Sequence, residues 1–98
     1  MIRFEWNETK ASHNWAKHKV TFETAQFVFD DPYAITEFDH VERGEKRWRT
    51  IGLIGASVVL LVAHTFEEGD IETVRIISAR RATRQERIRY EANRQEAW

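Results

Sequence analysis

Arg75, Arg80 and Arg81 stand close together in V-R-I-I-S-A-R-R, and Arg84 and Arg87 follow within two turns of a helix. An arginine fork donates two parallel hydrogen bonds to a phosphate or a carboxylate, so such a cluster suits a polyanion. Residues 75–94 hold seven arginines against Glu86 and Glu91. Residues 21–45 hold seven acids against Arg43. The formal net charge of −1 therefore hides two opposed segments. Either they pair with each other, or the basic one offers a local surface to an anionic partner. The overall balance argues against tight, non-specific binding of nucleic acid.

His64 is the second candidate. It closes the apolar run S-V-V-L-L-V-A-H-T-F, where alternation puts it on one face with Val58, Leu60 and Val62. A histidine there is either a satisfied core group or, at a strand end beside Arg75, a group that moves protons near neutral pH. The third is Lys17-His18-Lys19. These cations either favour the carboxyl end of a helix dipole or make a further phosphate contact. The chain has no cysteine, which excludes disulfides, thiolate metal sites and a cysteine nucleophile. The four histidines lack zinc-site spacing, and Asp30-Asp31 reads as a helix stop rather than a metal pair. There is no glycine-rich phosphate loop and no G-x-S-x-G. We expect no metal and no cofactor.

The elements that must place these groups follow from periodicity. I-R-F-E-W (2–6) alternates as a strand. Asn7 caps a helix to about His18, with Ala11 and Trp15 on its inner face. Thr21 caps a second helix whose apolar residues are Phe22, Ala25, Val28 and Phe29, and Pro32 ends it. The two make a tight helical hairpin. Residues 34–38 form a short strand, 39–45 a polar loop, and 46–54 a strand. Residues 57–66 are apolar on both faces and form the central strand. Glu67 to Asp70 should be a hairpin turn with Gly69 at positive φ, leading into a strand over 71–79. On that strand Val74, Ile76 and Ser78 share one face and Arg75, Ile77 and Ala79 the other. Thr83 and Glu86 make a T-x-x-E capping box, which starts a last helix to about Gln95.

The order is βααββββα, an α+β two-layer domain with a helical hairpin on a mainly antiparallel sheet. The 98 residues make one domain, 1–98. No signal peptide opens the chain and no apolar run is long enough to span a membrane, so a cytoplasmic location is expected. Arg75 should stand on the open face of the sheet. Arg80 and Arg81 should lie just before a helix N-terminus, which itself attracts anions.

F-E-W at 4–6, K-H at 17–18, F-E-x-A at 22–25, D-D-P at 30–32, H-T at 64–65, R-I-I-S-A-R at 75–80 and E-R-x-x-Y at 86–90 occur in an order that resembles the BrnT family of bacterial toxins. The resemblance spans nearly the whole chain. It implies a RelE-like fold and a ribonuclease of a type II toxin–antitoxin system that cleaves RNA and arrests growth. It also implies a cognate antitoxin with a ribbon-helix-helix part, which neutralises the toxin and binds operator DNA. Under it, Arg75 and Arg80 stabilise the scissile phosphate and His64 transfers a proton. Tyr90 and Glu86 complete the catalytic set, while Lys17, His18, Arg81 and Arg84 contact RNA. The competing expectation is a non-catalytic module that binds an acidic partner or nucleic acid through its arginines.

Overall fold

The computed structural model describes residues 1–96, so the last two residues of the expected 1–98 domain lie outside it. Strand β1 (Ile2–Trp6) leads into helix α1 (Glu8–His18), which Asn7 caps by accepting from the Lys10 amide. Lys19 adopts the left-handed conformation and turns the chain sharply into α2 (Phe22–Ala25). Helix α2 tightens into a 3₁₀ segment, Gln26–Asp30. Strands β2 (Ile35–Glu42), β3 (Glu45–Ile54), β4 (Val58–Glu67) and β5 (Glu72–Arg81) follow, and α3 (Arg84–Glu96) ends the described chain.

The five strands form one sheet in the order β1-β5-β4-β3-β2. The four later strands are antiparallel neighbours, whereas β1 adds at the edge in parallel to β5, with Phe4 beside Val74. The larger core lies between the sheet and the helical hairpin, around Phe22, Val28, Leu60, Val62, Val74 and Ile76. The 3₁₀ segment lies so close to β3 that a Cβ on Gly52 would sit 2.8 Å from the Val28 Cβ. On the opposite face, Ile51, Val59 and Leu61 pack against Tyr90 of α3. Helix α3 thus adds a partial third layer.

Three expectations are corrected. Residues 39–45 are not a loop, because β2 and β3 continue as a ribbon closed by Arg43-Gly44. Both turn residues have positive φ, 51° and 78°, which matches the twist a two-residue hairpin demands. The ribbon extends beyond the core and is exposed along most of β2's end, so no hydrophobic period marked it. Gly69 is not among the positive-φ glycines, which are Gly44 and Gly55. Trp15 is 51 % exposed, with the Lys19 ammonium over its ring. The buried residue of α1 is Asn14.

Asn14 has a clear reason to be inside. β1 pairs with β5 only as far as Ile76, which leaves the later edge of β5 without a strand partner. The Asn14 amide donates to the Ala79 carbonyl at 2.9 Å, and its oxygen accepts from the Ala79 N–H at 3.0 Å. The side chain therefore imitates a neighbouring strand for one residue. It also donates to the Val20 carbonyl, which ties the helical hairpin to the same point.

Candidate functional site

One irregularity in β5 decides which arginines share a surface. Ala63 pairs with Ser78, but the next residue, His64, pairs with Ile76. Ile77 is the extra residue of a β-bulge, and it inverts the alternation beyond it. Val74, Ile76 and Ala79 consequently all face the helical hairpin, and Ser78 does not. Arg75, Ser78 and Arg80 face the other way, opposite Thr65, Ala63 and Leu61. Arg49 of β3, opposite Ala63, and Glu37 of β2, opposite Arg49, continue this second face. Short side chains, Ser78 and Ala63, thus stand between Arg75, Arg80 and Arg49. Arg75 and Arg80 are roughly 13 Å apart along the sheet at about 3.3 Å per residue.

Each of these arginines is held by a carboxylate. Arg75 donates to Glu45, which also lies 3.4 Å from Arg47. Arg49 donates to Glu37 at 2.7 Å, and Arg89 of α3 binds the same carboxylate through both its terminal nitrogens. Arg80 makes a two-pronged pair with Glu86 at 2.8 and 3.0 Å. Those hydrogen bonds lower the Glu86 pKa to about 2, against some opposition from burial. The Arg89 and Arg49 guanidiniums likewise hold the Glu37 carboxyl below its ordinary range. The acidic segment 21–45 and the arginine-rich segment therefore do meet, through Glu37 and Glu45.

Glu86 has a second duty. It accepts from the Thr83 amide at 2.8 Å while Thr83 Oγ1 accepts from the Glu86 amide, so the expected capping box is present. Tyr90 points inward. It is fully buried and donates to Asp31 Oδ2 at 2.6 Å, an oxygen that also accepts from the Leu53 amide. Burial and the neighbouring carboxylate push its phenol well above the usual value.

His64 lies on the opposite face from the arginines and is 1 % exposed. Its Nδ1 lies 3.0 Å from the Thr65 carbonyl and its Nε2 2.8 Å from Thr50 Oγ1, which in turn contacts Thr36. Because a carbonyl only accepts, Nδ1 carries the proton and Nε2 accepts. Burial pushes its pKa down, so the ring is neutral at neutral pH. It forms one wall of an apolar pocket of about 310 Å³ with Trp48, Phe29 and Phe66. The expected neighbourhood of His64 and Arg75 is not found, since the residue across from His64 is Ile76.

Arg81, opposite Leu60, also falls on the hairpin side, in a pocket with Trp15 and Lys19. Arg84 is exposed on the first turn of α3. Lys17 and His18 lie on α1 with Lys10 and His13, facing β5 at Ile77 and Ser78. The structure thus brings Arg75, Arg80 and Glu86 to one face. It sets Lys17 and His18 beside that face, separates His64 and Arg81 from it, and buries Tyr90 under α3 against Ile51 and Leu61 of the same face. Arg49, Glu37 and Glu45 were missed. Strand alternation put Arg49 on a face, but only the pairing of β3 with β4 and β2 shows which residues it joins. Among the described residues, no group of three or more His, Asp or Glu side chains is placed to hold a metal ion.

A family model described as the ribonuclease toxin BrnT of a type II toxin–antitoxin system matches residues 6–86. The chain belongs to the BrnT family. Its fold is similar to that in the 1.1 Å crystal structure of the Brucella abortus ribonuclease toxin BrnT, with a TM-score of 0.60 and 21 % identity. That match covers 86 % of this chain and 100 % of the other. No curated protein matches the chain. Membership of the BrnT family makes the chain a ribonuclease toxin of a type II system, with RNA as target and an antitoxin as partner. Among the described residues, no helix is long and apolar enough to cross a membrane.

Proposed function

We propose that this BrnT-family toxin cuts RNA on the second face of the sheet, at the short side chains between Arg75, Arg80 and Arg49. The observation that carries the proposal is the bulge at Ile77, which brings Arg75 and Arg80 to one side. The reaction needs no metal. The RNA's own 2′-hydroxyl oxygen attacks the adjacent phosphorus, and the bond to the 5′-oxygen breaks to leave a 2′,3′-cyclic phosphate. Charge gathers on the non-bridging oxygens during attack, and preorganised arginine forks stabilise it. Glu45 and Glu86 hold Arg75 and Arg80 in place before substrate arrives.

Glu45 is the carboxylate beside Arg75 that takes the 2′-hydroxyl proton. Glu86 is unsuited, because Arg80 keeps it ionised to about pH 2 and so makes it a weak base. Water at this open face protonates the leaving oxygen. His64, behind the sheet, supports the fold and the apolar pocket rather than this step. A cognate antitoxin carrying a ribbon-helix-helix part neutralises the toxin and binds operator DNA, and the toxin acts in the bacterial cytoplasm where its RNA is.

Purified protein incubated with single-stranded RNA and excess EDTA should still yield fragments ending in cyclic phosphate. Intact RNA would refute catalysis. It would favour the non-catalytic reading, which the ion-paired state of the arginines supports. Cleavage that stops with EDTA and returns with a divalent cation would refute the metal-free step alone.

A further inference from the structure

The paired arginines contrast with a second set of basic side chains. Lys10, His13, Lys17 and His18 recur at the spacing of one helical face on α1, and none of them has a carboxylate partner among the described residues. They line a pocket of about 210 Å³ whose other wall is Ile77 and Ser78, the bulge of β5. Ser78 is the residue that stands between Arg75 and Arg80 on the second face. The groove therefore opens beside the place where the phosphate is proposed to react. Asn14 fixes its geometry by bonding α1 to Ala79 at the uncovered edge of β5.

We propose that this groove between α1 and the bulge carries the flanking strand of the RNA, with Lys10 and Lys17 as its principal phosphate contacts. The inference takes its ligand from the ribonuclease reading above. Three observations favour a phosphodiester strand over a protein partner. Lys10 and Lys17 have no carboxylate partner among the described residues, so binding breaks no ion pair seen there. Lys10 and Lys17 are spaced along about 10 Å of helix, at 1.5 Å per residue, which suits a chain of successive charges. The groove offers no aromatic anchor of the kind that dominates protein interfaces. The division of labour follows: arginines clamped by carboxylates address the reacting phosphate, and unclamped lysines hold the strand that leads to it.

The test uses the full chain, a labelled single-stranded RNA, and the double variant Lys10→Glu/Lys17→Glu. Both positions are exposed, so the fold should persist, and thermal unfolding checks this. KM for RNA should rise at least tenfold while kcat stays within about twofold. The slope of log affinity against log salt should become shallower by about 1.4, the value expected for two lost phosphate contacts on a single strand. Lys46→Glu, on another part of the surface, should change neither quantity. Unchanged KM and salt slope in the double variant would overturn the proposal. So would lost antitoxin binding with RNA kinetics intact, which would assign the groove to a protein partner. A wild-type protein that binds RNA through these lysines without cutting it would uphold the groove and refute the catalytic reading.

Discussion

Glu86 serves two structures with one carboxylate. It closes the first turn of α3 through the Thr83 amide, and it grips both prongs of Arg80. The first role was legible, because T-x-x-E before a helical segment has a local cause. The second was not, because nothing in the sequence says that Arg80 turns back toward the helix. Asn14 was illegible for a similar reason: its partner is the backbone of Ala79, 65 residues away along the chain. The depressed pKa of Glu86 has a consequence with a definite sign. A carboxyl at about 2 in the folded state against 4.5 ordinarily stabilises the fold fully above about pH 4.5 and loses that contribution as pH falls toward 2. Wild type should therefore exceed Glu86→Gln in stability near neutral pH, with the gap narrowing across that window in acid-denaturation profiles. A gap that stays constant from pH 5 to 2.5 would show that the pair contributes nothing through ionisation.

At the scale of elements, Asp31 joins three pieces of the chain. Its carboxylate accepts from Tyr33 at the entry to β2, from Leu53 of β3 and from Tyr90 of α3. The D-D-P motif is thus more than a helix stop, and Tyr90 is the bolt that seats α3 on the sheet. Tyr90→Phe keeps the ring in its apolar site but leaves the partly buried Asp31 carboxylate short of a donor, which should cost about 1 kcal/mol. For a chain of this size that lowers Tm by roughly 4–8 °C per kcal/mol, readable by calorimetry. RNA cleavage below the transition should persist, and its loss would mean that the phenol acts in the chemistry. The element order was readable because each helix and core strand has its own hydrophobic period. Two features lacked such a signal. The β2–β3 ribbon exposes both faces, and a bulge leaves the composition of a strand unchanged while reversing every residue beyond it.

At the scale of the molecule, the sheet separates two kinds of surface. One side carries the helical hairpin and, past its end, the apolar pocket with His64. The other carries the arginines, their carboxylate holders and α3. The sequence marked the arginines as a group, yet it grouped His64 with them because both lie near the ends of neighbouring strands. Pairing resolves this, since His64 sits across from Ile76 and Thr65 across from Arg75. In the proposed reaction the arginine side performs the cleavage. The direct measurement compares initial rates on one single-stranded RNA for wild type, Arg75→Ala, Arg80→Ala and His64→Gln, each at a temperature where circular dichroism shows it folded. Each arginine variant should lose about 10²–10³ in kcat, the scale seen when one preorganised donor to a developing oxyanion is removed, while His64→Gln stays within about threefold. Full activity in the arginine variants with loss in His64→Gln would refute this site and move it to the other side of the sheet.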